Sequence, residues 1–145
     1  MPVLLPDFEE PEILTYSLES TVAEKLDAII SLMEATSRMK DFYDMYYLAT
    51  TFDFDGRKLQ EAIYETLTNR ARSYEKDSVT VIARLAQDPE IQRRWNNFCK
   101  SILKYQLDFS DVVNVIIDFT LPPYESIIQE DEFFKSWSYK DKRYV

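Results

Sequence analysis

The residues best placed for chemistry are one lysine and two aspartates on consecutive predicted helices. On a helical wheel, Lys25 falls inside the apolar arc of the first helix, between Leu32 and Leu18. Asp41 falls at the edge of the apolar arc of the second helix, and Asp44 lies one turn away on the same side. An ammonium group on an apolar arc must reach solvent, lose its proton or contact a carboxylate.

A short connection at residues 35–37 predicts that the two helices are antiparallel neighbours. We therefore expect Lys25 and Asp41 to meet across this helical hairpin. Helical-wheel geometry alone favours a buried ion pair that orients the two helices over a catalytic pair, because structural pairs of this kind are common.

Most of the chain shows the 3.6-residue period of amphipathic helices. Ser17 is the expected N-cap of the first helix, the second helix starts at Ser37, and a third follows at 57–72. Further helical segments are expected at 78–86, after Asp88-Pro89-Glu90, and from Ser110 to a stop at Pro122-Pro123. The buried side of the helix after Asp88 should hold Ile91, Trp95, Phe98 and Ile102.

These elements predict an all-α fold, a compact multi-helix domain spanning residues 1–145. Residues 1–16 read as a short extended lead because Pro6 and Pro11 oppose a helix there. Residues 17–50 form the helical hairpin, and 51–145 supply further helices and an aromatic tail of short helix or irregular chain. Asp53-Phe54-Asp55 reads as turn and cap chemistry between helices and not as a metal site.

The composition excludes several classes of active site. The chain has no histidine, so a Ser-His-Asp triad and a histidine-bearing metal site are excluded within it. A single glycine cannot build a phosphate-binding glycine loop. A single cysteine allows neither an internal disulfide nor a thiolate zinc site, and it suits a reducing compartment. We expect a cytoplasmic protein with no membrane segment.

The net charge of −9 argues against a chain-wide nucleic-acid surface. Charge is uneven, however, with eight Lys/Arg against four Asp/Glu between Arg70 and Lys104. A solvated helix face is the favoured interpretation of this excess. The alternative is a phosphate or RNA contact made by the basic side chains Arg70, Arg72, Lys76, Arg93 and Arg94.

Two stretches, YSLESTVAEKLDAII and TSRMKDFYDMYYL, resemble the two C-terminal motifs of the AbiEii/AbiGii nucleotidyltransferase toxins. In that family an AEK-type helix precedes an R-x-K-D-x-x-D helix, with a similar order and gap. The resemblance covers residues 15–50, and more loosely 52–70.

This resemblance implies a toxin of a type IV toxin–antitoxin system that moves a nucleotide from an NTP to an acceptor. Some relatives modify the acceptor end of tRNA. Lys25 matches the motif lysine, expected to contact the triphosphate, and Asp41 matches the acid expected to act with it. Arg38, Lys40 and Asp44 match the remaining positions, where supporting or nucleotide-orienting roles are expected.

The resembled family also begins with an α/β domain that carries a glycine-containing loop and metal-binding aspartates, which this sequence lacks. We therefore expect the C-terminal helical portion of such a toxin, inactive alone and without a metal site of its own. Mg²⁺ and NTP are implied only for the complete enzyme. Expected partners are the missing domain or a cognate antitoxin, a second copy of the chain, and, for the complete enzyme only, an RNA acceptor.

Two other functions remain open. A non-catalytic interaction module could keep the family fold, and it would show a large apolar patch where the missing domain docks. An RNA-binding helical domain that uses the basic residues of 70–104 ranks third.

Overall fold

The computed structural model describes residues 17–32, 39–70 and 79–145. The expected extended lead at 1–16 lies outside the described residues, as do the helix start at Ser37 and the side chains of Arg38, Arg72 and Lys76. The described chain is mainly helical, as expected.

The described α-helices are α1 (Leu18–Leu32), α2 (Met39–Thr51), α3 (Gly56–Asn69), α4 (Pro89–Phe98) and α5 (Phe109–Ile128). A 3₁₀ helix, Thr80–Gln87, precedes α4, and a π-helical turn, Cys99–Leu103, follows it. Three short strands complete the described elements: β1 (Phe54–Asp55), β2 (Ser136–Ser138) and β3 (Arg143–Tyr144). No described helix has both the length and the apolar character needed to cross a membrane.

The helices pack into one core. Helix α1 packs mainly against α3 and α2, and α5 packs against α2, α3 and the 3₁₀ helix. Each of α2, α3 and α5 buries one apolar side, with Tyr46 of α2 half-buried; the residues are Phe42, Met45, Ala49, Leu59, Ile63, Leu67, Val112, Val113, Ile116 and Phe119. The largest completely buried side chains include Trp95, Trp137, Tyr124, Phe42 and Phe119. At roughly 25 cal/mol per Å², burial of such aromatic side chains is the main favourable term in folding.

Capping side chains define three of the helix starts that the sequence predicts. Ser17 Oγ accepts a hydrogen bond from the Ser20 N–H at 3.0 Å at the start of α1. Asp55 caps α3 by accepting from the Arg57 N–H at 2.9 Å, and Asp88 caps α4 by accepting from the Glu90 N–H at 2.9 Å. The expected cap of α5 is wrong: Asp108, not Ser110, accepts from the N–H of the helix, at Asp111.

The expected stop at Pro122-Pro123 is also wrong, because α5 continues through both prolines to Ile128. A proline ring nitrogen cannot donate, so the Phe119 carbonyl loses the donor that residue 123 would otherwise supply. The Tyr144 hydroxyl donates to that carbonyl instead, at 2.5 Å. A distant side chain therefore satisfies the acceptor that Pro123 leaves without a helical donor.

The tail is a β-hairpin and not the expected short helix or irregular chain, which corrects the all-α prediction. Strand β2 pairs antiparallel with both β1 and β3, with Trp137 opposite Phe54 on one side and Tyr144 on the other. Trp137 anchors the hairpin to the core: it is fully buried and donates through Nε1 to the Ala49 carbonyl at 2.7 Å. That carbonyl lies in the last turn of α2, where helical acceptors need outside donors.

Ile102 was expected on the buried side of its helix, but it is 64 % exposed. The α-helix changes into a π-helical turn at Cys99, and the wider turn rotates the following side chains away from the core. Ile91 and Trp95, which precede this change, are buried as expected.

Gly56 starts α3 where the backbone of residue 135 crosses it. Its N–H donates to the Lys135 carbonyl at 3.0 Å, and a Cβ added there would overlap that carbonyl and approach the Phe133 ring to 2.7 Å. Gly56→Ala should lower the free energy of unfolding by about 1–3 kcal/mol, since the clash is with backbone that the sheet holds in place. Urea denaturation measures the change.

Glu65→Ala is the matched control for this substitution because Glu65 lies on the exposed face of the same helix. It should change stability by less than about 0.5 kcal/mol. Equal urea midpoints for Gly56→Ala and the wild type would show that the close approach at Gly56 is not required.

A buried lysine–aspartate cluster as the candidate site

The candidate site is a cluster of charges where α1 meets the first turns of α2. Lys25 Nζ lies 3.2 Å from Asp41 Oδ1 and 2.9 Å from Asp44 Oδ2. The Lys25 side chain is 15 % exposed, that of Asp41 5 %, and that of Asp44 0 %. The predicted contact between Lys25 and Asp41 across the hairpin is therefore confirmed, and Asp44 is a second partner.

Helical periodicity brings both carboxylates to the same ammonium. Asp41 and Asp44 are three residues apart, so they project from one side of α2 on successive turns. Asp41 lies in the first turn, where the partial positive charge of the helix N-terminus favours a carboxylate. Lys25 lies near the middle of α1, and its neighbours on that helix, Val22, Leu26 and Ile29, are buried in the core.

The cluster keeps Lys25 protonated. Burial alone would lower the pKa of the Lys25 ammonium, but the hydrogen bond and charge of Asp44, together with those of Asp41, outweigh burial and raise it. The side chain is therefore a fixed positive charge and is unsuited to act as a neutral general base or nucleophile near pH 7.

Lys40 adds a second ammonium to the cluster. Its Nζ lies 2.9 Å from Asp44 Oδ2, the same oxygen that contacts Lys25, but its side chain is 54 % exposed. Within the described residues, the other oxygen of this carboxylate, Asp44 Oδ1, is buried and accepts no hydrogen bond. Two ammonium groups thus share one carboxylate oxygen, and one of them faces solvent.

The cluster does not fit Mg²⁺. A magnesium site needs oxygen ligands at about 2.0–2.1 Å in octahedral geometry, and here the Lys25 ammonium takes the place between the two carboxylates that a cation would need. Across the described ranges, no group of three or more His, Cys, Asp or Glu residues could hold a metal. No catalytic step through a metal follows from these residues.

A second ion pair, between α1 and the half-exposed Arg70 at the end of α3, was not predicted. Arg70 contacts Asp27 at 2.9 Å and Glu24 at 2.6 Å, and the Asp27 side chain is 2 % exposed. The helical wheel places Asp27 opposite the main apolar arc, so periodicity gave no sign that a third helix covers it.

The predicted basic surface at 70–104 is partly neutralised by ion pairs. Besides Arg70, both Arg93 and Arg94 contact Glu90, at 2.5 and 3.1 Å. The hydrogen bond from Arg93 is the main cause that lowers the pKa of Glu90. Arg72 and Lys76 lie outside the described residues. These contacts favour the solvated-face interpretation of this segment.

Of the predicted site residues, Lys25, Lys40, Asp41 and Asp44 lie together, and Arg38 lies outside the described residues. The sequence alone gave Asp44 a supporting part, whereas its carboxylate is the most buried and lies closer to Lys25 than that of Asp41. The three-residue spacing places Asp41 and Asp44 on one helix face, so it already indicated that both carboxylates could reach Lys25.

Fold and site define a mainly helical domain with a charged lysine–aspartate cluster between two neighbouring helices. A family model described as nucleotidyl transferase AbiEii toxin, type IV TA system, matches residues 1–129. The chain therefore belongs to this family, and the family resemblance of the helical motifs is confirmed. Comparison with curated proteins and with solved structures gave no match.

The two lysines of the cluster should contribute unequally to the free energy of unfolding. Lys25→Met would leave two buried carboxylates without their shared ammonium and should lower the free energy of unfolding by about 3–5 kcal/mol. Lys40→Met removes a half-exposed ammonium from the same carboxylate and should cost less than about 1 kcal/mol. Urea denaturation of both variants tests this order, and equal losses would contradict it.

The raised pKa of Lys25 also gives a pH dependence. Above the ordinary value of 10.5 the unfolded chain loses this proton while the folded chain retains it. The stabilisation by the cluster is therefore complete below pH 10.5 and declines as pH rises through the folded pKa. We expect the stability difference between wild type and Lys25→Met to shrink in that alkaline range.

Urea denaturation at several alkaline pH values measures the difference in free energy of unfolding between the wild type and Lys25→Met. Burial also raises the pKa of Tyr43 and Tyr144, which adds alkaline sensitivity to both proteins and cancels in the comparison. A difference that stays constant well above pH 10.5 would argue against a cluster that depends on the Lys25 charge.

Proposed function

We propose that this chain is the C-terminal helical portion of an AbiEii-type nucleotidyltransferase, inactive alone, and that it supplies Lys25 and Asp41 to a nucleotide site. Family membership supports the reaction class. The observation that carries the proposal is the Lys25 ammonium, kept charged and only 15 % exposed by two carboxylates on the neighbouring motif helix.

The arrangement suits recognition of a phosphate group. A lysine ammonium binds phosphate as a point charge, and a fixed ammonium needs little reorganisation when the anion arrives. Lys25 and Lys40 converge on one oxygen of Asp44, so a phosphate reaching the exposed Lys40 meets a second ammonium beside it. Asp41 and Asp44 act as positioning residues for the two lysines, and Arg38 would extend the same set.

Chemistry at that phosphate requires further groups. Nucleotidyl transfer is ordinarily assisted by Mg²⁺ held on carboxylates, and the described carboxylates do not form such a site. We assign the metal ligands and the glycine-containing loop to another domain or chain that docks beside α1 and α2. A type IV system also implies an antitoxin partner, and we place both components in the cytoplasm.

A specific observation supports the alternative, a non-catalytic interaction module. The Arg70–Asp27 pair also joins α1 to a neighbouring helix through a buried carboxylate, and the Lys25 cluster would be a structural contact of the same kind if it bound no ligand. The apolar patch expected of such a module remains a prediction. In the described part, exposed large apolar side chains occur on α3, around the π-helical turn and near the C-terminal strands: Tyr64, Ile102, Tyr105, Phe134 and Val145.

Isothermal titration of the chain with each NTP in the presence of Mg²⁺ separates these functions. We expect binding that is lost in Lys25→Met, because the substitution removes the ammonium that faces the phosphates. Arg70→Met is the matched control: it breaks a comparable ion pair of α1 without touching the proposed site, and it should retain binding.

Three outcomes would count against the proposal or change it. No binding of any NTP to the wild-type chain would favour the interaction module. Equal losses in Lys25→Met and Arg70→Met would indicate general destabilisation. Transfer of a labelled nucleotide to an acceptor by this chain alone would contradict the expected inactivity.

A further inference from the structure

The C-terminal hairpin carries a concentration of positive charge in an otherwise acidic protein. Residues 135–145 contain four Lys/Arg against one Asp, while the whole chain has a net charge of −9. The hairpin lies beyond residues 1–129, which the family model matches. The family assignment therefore does not account for this charge.

The four cations of this hairpin are exposed, and none forms an ion pair with another residue that the structure describes. Within the described ranges, no carboxylate lies within ion-pair distance of the hairpin cations Lys135, Lys140, Lys142 and Arg143. The arginines of the preceding segments differ, since Arg57, Arg70 and Arg93 each contact a glutamate. The hairpin thus carries positive charge that internal carboxylates do not neutralise.

The hairpin is fixed to the core, which gives these cations defined positions. Trp137 and Tyr144 occupy adjacent strands, face inward and donate hydrogen bonds to carbonyls of α2 and α5. Ser138 and Arg143 are opposite each other in the strand register, and by strand alternation their side chains lie on the other face of the hairpin. Trp137 and Tyr144 therefore dock the hairpin on the core, while Lys135, Lys140, Lys142 and Arg143 are exposed.

The turn of the hairpin holds a lysine where glycine would be less strained. Lys142 has a φ of 55°, in the left-handed region, and its N–H donates to the Ser138 carbonyl at 2.8 Å to close the turn. Left-handed backbone disfavours residues with a Cβ, and glycine adopts it at no such cost. A lysine therefore occupies a backbone position at which glycine would be less strained.

Two acidic groups adjoin the cations without pairing with them. Asp141 donates its N–H to Ser138 Oγ within the turn, and Asp53 accepts a hydrogen bond from the Tyr139 N–H at 3.0 Å. With both counted, the hairpin surface remains positive. Tyr139 lies between the cations in the sequence SYKDKRY, an interleaving of aromatic and basic residues.

We propose that the outward face of residues 135–145 binds the sugar–phosphate backbone of a single-stranded nucleic acid. Closely spaced cations neutralise successive phosphates, and a neighbouring aromatic ring offers a base a surface for stacking. An anionic membrane is the less suitable partner, because the hairpin has turned Trp137 and Tyr144 toward the core. The inference is independent of the nucleotide site at Lys25.

Fluorescence anisotropy with labelled single-stranded RNA and DNA of one sequence tests the proposal, across a series of salt concentrations. The hairpin variant combines Lys140→Gln, Lys142→Gly and Arg143→Gln. Its control combines Lys58→Gln, Arg84→Gln and Lys100→Gln, which remove the same charge at exposed positions outside the hairpin. Equal affinity for RNA and DNA would indicate that the hairpin contacts the phosphates alone. A preference for RNA would indicate that it also contacts the ribose 2′-hydroxyl.

We expect the hairpin variant to lose at least tenfold in affinity. The slope of log K against log salt should fall by about 2, since each single-strand phosphate contact contributes about 0.7. The control variant should change by less than about twofold in affinity, as expected for cations outside the contact. Lys142→Gly alone should weaken binding while its thermal unfolding midpoint stays at or above that of the wild type.

Three results would overturn the proposal. They are equal losses in the two triple variants, no binding of either oligonucleotide to the wild type, and binding to phosphatidylserine vesicles without binding to the oligonucleotides. Retained stability of Lys142→Gly ensures that weaker binding does not reflect unfolding.

Discussion

The contact of one ammonium with two carboxylates sets the arrangement of α1 and α2. Lys25 can remain charged inside the protein only while Asp41 and Asp44 stay beside it, so the helices cannot slide or rotate without separating buried charges. Arg70 repeats this constraint between α1 and α3 through Asp27. Apolar burial drives the packing of these helices, and any other register would cost the separation of the buried Lys25, Asp41 and Asp44 charges.

The sequence predicted this contact because helical periodicity and a short connection are local properties. Positions 25 and 41 lie on predictable faces, and antiparallel neighbours bring such faces together. Asp27 escaped prediction because the wheel assumes a single apolar side, whereas α1 packs against both α2 and α3. The ligand role of the cluster remains a prediction, since ion-pair geometry is common to structural and functional pairs.

Long-range partners explain the two places where the structure departs from the predicted helical fold, the end of α5 and the C-terminal tail. Pro122-Pro123 read as a stop because the rule for proline is local, but the carbonyl left without a donor is satisfied by Tyr144, 25 positions from Phe119. The aromatic tail likewise read as irregular, because its strands are only two or three residues long and pair with a segment near residue 54. Trp137 is nonetheless fully buried, whereas Phe134 of the same tail is 67 % exposed, so aromatic composition alone did not identify which ring packs against the core.

Trp137 and Tyr144 contribute to the core by hydrogen bonding, although both residues lie after the last residue that the family model matches. The match stops at residue 129, yet carbonyls of Ala49 and Phe119 depend on donors that come after it. A polypeptide cut at that boundary would keep both motif helices but leave these acceptors unsatisfied and a tryptophan-sized gap beside Phe54 and Phe119. The core of this protein therefore extends past the end of the family match, because residues of the C-terminal hairpin complete it.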